Sequence, residues 1–345
     1  MLRFRLGAGL VALTLVTAAC GGGGTGDAAR HNRATDKVKV GLLLDSLVEE
    51  RWQRDRDLFV ERVKELGGEA LVKAANRDAA LQEQQARELL DQGAKALVIV
   101  AADTAKASAI VTAAAEKKVP VISYDRLIRD ADVALYVSFD NVKVGRMQAE
   151  YLLNQAPKGN YALIGGSPTD NNAQLLRQGQ MEMLKPAIAA GSVKVAFEGW
   201  AENWSEENAK ALTEEALKKS HNNLAAIVAS NDRTAAGAIE ALAAHKLAGK
   251  VFVSGQDAEL GAMKRILAGT QSMTVYKPLR PLARMAAGAA MNIAQGQTEE
   301  GVVTVNNGKK DVAARLLEPI SVDKETMDRT VIADGYHKRA EVYGQ

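Results

Sequence analysis

The chain has 345 residues, 47% of them hydrophobic and 25% charged, enough for two domains at roughly 100 to 200 residues each, and disorder is confined to its ends. Net charge is +2; setting aside Arg3 and Arg5 of the leader leaves 42 basic against 42 acidic residues, so nothing electrostatic argues for a nucleic-acid partner. A single cysteine, Cys20, excludes an internal disulfide and a metal site built on paired thiols.

Residues 1–20 read as a secretory signal, with basic Arg3 and Arg5, an apolar stretch from Leu6 to Val16, and the small residues Thr17, Ala18 and Ala19 before Cys20. The apolar stretch is short of the about 20 residues that a membrane span needs, and no later segment reaches that length. Val16-Thr17-Ala18-Ala19-Cys20-Gly21 resembles a bacterial lipobox, with Thr17 where Leu is commoner. That resemblance implies acylation of Cys20 and a lipid-anchored protein in the periplasm or at the cell surface. Residues 21–36, rich in Gly, read as a flexible tether.

From Lys37 the pattern alternates strand and helix. Val38 to Leu44 is a strand, and apolar Trp52, Phe59, Val60 and Val63 then recur at helical spacing until Gly67-Gly68. The unit repeats with strand 70–74 and helix 79–91, strand 96–101 and helix 104–118, and strand 119–124. Ala-Leu-Val-Ile-Val at 96–100 is apolar on both faces, as expected for a parallel sheet covered by helices. A second series runs through strands at 134–139, 161–165, 193–197, 225–229, 251–254 and 272–276, with helices at 142–155, 173–184, 205–219, 234–244 and 260–267. An Ala-rich helix over 278–294 follows, then strands 302–305 and 313–320 around the turn Asn307-Gly308. The expected fold class is α/β, two doubly wound parallel-sheet lobes joined by a three-crossover hinge. The expected lobes are 37–141 plus 278–300, and 142–277 plus 301–345.

Hydrogen-bonding and aromatic side chains gather where the apolar runs end: Asp45, Arg51-Trp52, Tyr124-Asp125-Arg126, Asp140-Asn141, Asn171-Asn172, Asn231-Asp232, Gln256-Asp257 and Lys277. Small molecules bind open α/β sheets outside the carboxyl ends of the strands, and this set of carboxylates, amides and guanidinium groups suits a polyhydroxylated ligand.

These stretches, with Gly165-Gly166-Ser167-Pro168-Thr169-Asp170-Asn171-Asn172 and Thr274-Val275-Tyr276-Lys277-Pro278, resemble the lipid-anchored or periplasmic sugar-binding proteins of ABC importers, the periplasmic binding protein-like I family, from about Lys37 to His337. The resemblance implies a sugar held between Trp52 of one lobe and Trp204 of the other. Its rim would be met by Arg51, Asp125 and Arg126, and by Asn172, Asn231, Asp257 and Lys277. The implied ligand is a monosaccharide, D-xylose first and D-glucose next, delivered to a membrane permease by a monomeric protein without a cofactor. Aromatic residues are only 4% of the chain, so two of its three Trp near predicted loops or helix starts fit such a role, whereas Trp200 reads as a packing anchor. Asp140, Asp170 and Asp232 read equally as helix N-caps, Glu49-Glu50 and Arg54-Asp55-Arg56 as a solvated helix face, with Arg54 also a contact by position in the family.

An enzyme on the same architecture is the rival reading, and the sequence lacks its marks. It carries no nucleophile elbow, no phosphate loop, and no G-x-G-x-x-G after the first strand, where Leu44-Asp45-Ser46-Leu47 stands. His31, His221, His245 and His337 fall in the tether, on helices or loops, and in the tail. A second rival is a sugar receptor for a membrane chemosensor or histidine kinase, which the same pair of lobes would serve.

Overall fold

The computed structural model describes residues 37–344. The signal, the tether and Cys20 lie outside the described residues. The chain begins with β1 (Lys39–Leu44), α1 (Glu50–Glu65), β2 (Glu69–Ala74), α2 (Ala79–Asp91), β3 (Leu97–Ile99), α3 (Ser108–Glu116), β4 (Val121–Tyr124) and β5 (Leu135–Phe139). It passes into α4 (Asn141–Gln155), β6 (Gly159–Gly165), α5 (Asn171–Ala189), β7 (Val193–Trp200), α6 (Glu206–Lys219), β8 (Ala226–Ala229), α7 (Asp232–Ala244), β9 (Phe252–Val253), α8 (Leu260–Leu267) and β10 (Thr274–Tyr276). Last come α9 (Leu279–Ala294), β11 (Val303–Asn306), β12 (Asp311–Leu317), β13 (Ile320–Val322) and α10 (Arg339–Tyr343).

The first lobe is built on a seven-stranded sheet of order β11-β12-β5-β4-β3-β1-β2, parallel except for the β11/β12 hairpin at its edge. The period of two divides its core. Val40, Leu42 and Leu44 pack toward Phe59 and Val63 of α1 and Leu282, Ala286 and Ala290 of α9, while Leu43 joins Leu97 and Ile99 against Leu89, Ile110 and Ala114 of α2 and α3. The second lobe is built on the parallel sheet β7-β6-β8-β9, again alternating: Tyr161 and Leu163 pack on α4 and α5, Ala162 and Ile164 on α6 and α7. In both sheets the strand order reverses beside the first strand, which sets a crevice at the carboxyl ends of β1 and β3 in one lobe and of β6 and β8 in the other.

The chain passes between the sheets at Phe139–Asn141, Tyr276–Leu279 and Leu317–Ile320, so the hinge has three strands of chain. The assignment of residues 301–317 to the second lobe is corrected by the sheet topology. β12 runs parallel to β5 and extends the first sheet, and β11 folds back on it. Asn307 pins the hairpin there by donating its amide to Ile128 O and Ala131 O at 3.1 and 2.8 Å. The single strand expected over 313–320 is two strands separated by Glu318-Pro319; Pro319 has no N–H to give a ladder, and beyond it β13 pairs antiparallel with β10. Residues 320–343 then pack on α8 and β10 through Met327, Val331, Tyr336 and Val342.

Candidate functional site

The polar strand ends converge on one cleft between the lobes. All nine residues expected at the site line it: Arg51, Trp52, Asp125 and Arg126 from the first lobe, Asn172, Trp204, Asn231 and Asp257 from the second, and Lys277 from the second crossing. Glu49, Asp170 and Gln256 line it as well. Arg51 and Trp52 sit in the first turn of α1, directly beyond β1, while Asp125 follows β4 and Asp257 follows β9.

Those two aspartates hold equivalent positions in the two lobes. Each has a positive φ, +62° at Asp125 and +95° at Asp257, which is sparsely populated by residues other than glycine and best tolerated by Asp and Asn. Each backbone N–H is nevertheless used, Asp125 N donating to Val137 O and Asp257 N to Val275 O, both at 2.8 Å across to the next strand. The bend turns each carboxylate off its strand and into the cleft.

Asp125 is the hub. It accepts from Arg51 Nη2 at 2.8 Å and from Asn172 Nδ2 at 3.1 Å, and Lys277 Nζ stands 3.7 Å away. Burial alone would raise its pKa, but Arg51, Lys277 and Arg126 overcome that and hold the carboxyl at about 2. Arg51 also reaches Asp257 at 3.2 Å, and Lys277 reaches the same oxygen at 3.1 Å. Arg126 bridges the lobes too, with Nε 2.8 Å from Asp170 of the second lobe and Nη1 2.8 Å from both Asp45 and Ala101 O of the first. Charges of opposite sign therefore face each other across the cleft, which is how buried ions are tolerated.

The indoles are fixed differently. The Trp52 ring has the Arg51 guanidinium 4.1 Å from its centroid and that of Arg126 at 5.6 Å, within cation–π range. Trp204 lies in a single 3₁₀ turn at Glu202–Trp204, where Asn203 and Trp204 both have φ of +54°. Its Nε1 donates to Asp170 Oδ2 at 3.2 Å, and its ring rests on Gly166, where a Cβ would stand 2.2 Å from the ring atoms. A glycine is required there for the indole to lie flat. Trp200 stays outside the cleft, under the Arg177 guanidinium at 4.7 Å and against Gly165.

The helix-cap readings divide. Asp140 caps α4 through Lys143 N. Asn231, not Asp232, caps α7, accepting from Thr234 N, so what it can offer a ligand is its amide NH₂. Asp232 instead accepts from Glu259 N, Gln271 Nε2 and Thr274 Oγ1. Asp170 does both jobs, capping α5 with Oδ1 and facing the cleft with Oδ2. Glu49 and Asp55 are corrected: rather than lying on a solvated face both are buried, Glu49 accepting from Ser46 and Arg77 where the chain bends inward between β1 and α1, and Asp55 from Tyr124 and Arg51. Arg54 points away from the cleft toward Tyr336. At the strand ends around the cleft, the buried acceptors Asp45 Oδ1 and Gln256 Oε1 have no protein partner. Gln256 stands beside Asp257 in the strand-end set that the sequence marks, and the cleft takes both.

As it stands the cleft is nearly shut, with about 30 Å³ left between the lobes, because the side chains of one lobe satisfy those of the other. A ligand with several hydroxyls exchanges these hydrogen bonds for its own. Among the described residues there is no cluster of His, Cys, Asp and Glu able to hold a metal ion and no helix long and apolar enough to cross a membrane.

This geometry has known counterparts. The chain is 48% identical over 306 residues to the D-xylose-binding periplasmic protein of Escherichia coli (strain K12), a match that covers 89% of this chain and 93% of that protein. It is 32% identical to a multiple sugar-binding periplasmic receptor of Rhizobium radiobacter, over 88% of this chain and 92% of that one. Among solved structures it matches a carbohydrate transporter solute-binding protein from Chloroflexus aurantiacus, in complex with D-glucose, with a TM-score of 0.83 and 33% identity over 89% of this chain and 98% of that one. The periplasmic binding protein domain matches residues 40–298, most of the described chain. The two hinged lobes, their shared cleft and these likenesses agree: the chain belongs to the periplasmic binding protein family.

Proposed function

We propose that this protein is the extracytoplasmic substrate-binding component of an ABC sugar importer, that it takes D-xylose in the interlobe cleft, and that it hands the sugar to a membrane permease. The observation that carries the reading is the composition of the cleft: two indoles from opposite lobes, ringed by carboxylates, amides and cations that can each meet a hydroxyl. A pyranose presents C–H groups on its faces and hydroxyls at its rim, so an aromatic clamp with a polar rim is its complement. Xylose is favoured by the 48% identity to a D-xylose-binding protein. Arg51, Trp52, Asp125, Arg126, Asn172, Trp204, Asn231, Asp257 and Lys277 are the proposed contacts.

Sugar would bind one lobe of an opened form and gain the contacts of the other on closure, so its differential affinity drives the change. No bond in the sugar is made or broken. Calorimetric titration of residues 30–345 with D-xylose, D-glucose, D-ribose and L-arabinose tests this. Tight xylose binding that is weakened at least tenfold in Trp204→Ala is expected. Tight binding of another of these sugars alone would refute the xylose assignment while leaving the carrier role.

The same reading makes residues 1–20 a signal peptide and Cys20 the lipid-anchored N-terminus of a monomer. The support is that the only cysteine follows Val16-Thr17-Ala18-Ala19. Expressed in a bacterium, the full chain should partition into detergent and its Cys20→Ala variant should not; equal partitioning of both would exclude the anchor. A receptor role for a membrane sensor is the second reading, favoured by the likeness to the Rhizobium radiobacter receptor. Copurification with a kinase ectodomain rather than a permease would select it.

A further inference from the structure

The lobes meet a second time behind the cleft, through the C-terminal segment. Tyr336 and His337 follow Gly335 and are buried, His337 only 2% exposed, so this histidine does not lie in a free tail. Tyr336 packs with Tyr276, ring centroids 5.0 Å apart, and its hydroxyl donates to Asp257 O at 3.4 Å. His337 Nε2 stands 2.7 Å from Ala258 O. A carbonyl only accepts, so Nε2 carries the proton and Nδ1 is left as an acceptor. The two carbonyls held in this way belong to Asp257 and Ala258, whose φ angles of +95° and +51° are both in the left-handed region.

From the first lobe, Arg54 closes on the same pair. Its guanidinium lies 4.3 Å from the Tyr336 ring centroid, Nη1 donates to Tyr336 O, and Nη2 is 3.4 Å from His337 Nδ1. Arg54 is carried on α1 two residues beyond Trp52, and Glu50 steadies it through Nε at 3.1 Å. The bend that carries Asp257 is therefore fastened from behind by the C-terminal segment, and the fastening itself spans the lobes.

We infer that Tyr336 and His337 are positioning residues that hold the Asp257–Ala258 bend so that Asp257 faces Arg51 and Lys277, and that with Arg54 they form a clasp favouring the closed form. The inference rests on the proposed reading of the cleft as a sugar site. It implies that sugar affinity depends on pH. Protonated His337 would turn Nδ1 into a donor aimed at Arg54, and the charged groups facing it are Arg54 and Glu50 from α1 and Glu341 from α10. Burial, then Arg54, hold the imidazole below its ordinary 6.5, so it is neutral in the closed form. An open form, with Arg54 withdrawn, takes up the proton at higher pH. Affinity is then complete above about 6.5 and declines as pH falls below it.

The test measures the Kd for D-xylose by calorimetry at pH 7.5 and 5.5, with melting curves, for the wild type, His337→Ala, His337→Gln and Arg54→Met. Gln places an amide donor where Nε2 stands and cannot be protonated. At pH 7.5, His337→Ala should raise Kd about tenfold, the worth of one buried hydrogen bond, and His337→Gln should stay within about twofold of the wild type. His337→Gln should also lose the rise in Kd that the wild type shows at pH 5.5. Arg54→Met leaves the second lobe's core untouched and should raise Kd about fivefold, by one factor for every sugar bound, as a shift in closure demands. If His337→Ala melts too low to assay, Arg54→Met and His337→Gln decide. Unchanged affinity in Arg54→Met, or the same pH dependence in His337→Gln as in the wild type, overturns the inference. A wild type that binds none of the four sugars overturns the cleft reading and this inference with it.

Discussion

Asp55 stands one helical turn behind Arg51, buried, with Tyr124 donating to its Oδ1 and Arg51 to its Oδ2 at 3.4 Å. It does not itself line the cleft, yet it fixes the guanidinium that reaches both Asp125 and Asp257. Burial raises its carboxyl from 3.8 to about 6, against the pull of Arg51 and of the Tyr124 hydrogen bond. A carboxyl whose pKa is raised by folding binds its proton more tightly in the folded state. Its contribution to stability is therefore full below about 4 and is lost as pH rises to about 6. Asp125 has the opposite sign: held at about 2, it contributes above its ordinary 3.8 and loses that contribution as pH falls toward 2. The unfolding free energy from urea titrations should thus decline by on the order of 1 to 3 kcal/mol between about pH 4 and 7 on account of Asp55, and Asp55→Asn should flatten the decline. A slope equal to that of the wild type would remove Asp55 as its source.

At the scale of elements, α4 and α5 pack backbone against backbone, and two glycines permit it. A Cβ on Gly145 would stand 2.0 Å from Leu176 O, and one on Gly179 would stand 1.9 Å from Val142 O. Both obstacles are backbone, so neither helix can accommodate a methyl group by a rotamer change. Gly179→Ala should force the helices apart and cost about 3 kcal/mol despite alanine's better helix propensity, visible as a lower melting temperature. An unchanged melting temperature would mean that the pair can slide without loss. That glycine pairing was invisible in the sequence, where Gly145 and Gly179 are only weak points in helical patterns. The helices themselves were legible, since their apolar spacing follows from one buried face: 79–91 and 260–267 are found at the expected bounds. The last strands were not. Val302 to Val305 and Ala313 to Leu317 carry the same alternation whichever sheet they join, and the pairing of β12 with β5 and the Asn307 contacts with the first lobe decide between the two. The site divides in the same way. Residues at strand ends were readable as a set, but Glu49 and Asp170 had local alternatives, a helix face and an N-cap, that sequence spacing satisfies equally well. His337 was unreadable because its partners at Arg54 and Ala258 lie 283 and 79 residues away.

For the whole molecule, closure is a balance struck between contacts that a sugar replaces and contacts that it leaves alone. Arg51 with Asp257, Arg126 with Asp170 and Asn172 with Asp125 are of the first kind, since they cross the cleft itself. Arg129 Nη1 with Asn171 Oδ1 at 2.9 Å and Thr104 Oγ1 with Thr169 O at 3.0 Å are of the second, since they join the lobes at the lip and do not line the cleft. Removing one of the second kind takes nothing from the bound sugar; it only lowers the fraction of molecules that close. The apparent Kd then rises as the inverse of that fraction, by the same factor for each sugar. With each contact worth about 1 kcal/mol, Arg129→Ala or Thr104→Val should weaken every sugar about fivefold, and the two together should do so more than either alone. Small-angle scattering should show a larger radius of gyration for the sugar-free double variant than for the sugar-free wild type, and the two should coincide at saturating sugar. Weakening that differs from one sugar to the next would place these residues in recognition rather than in closure.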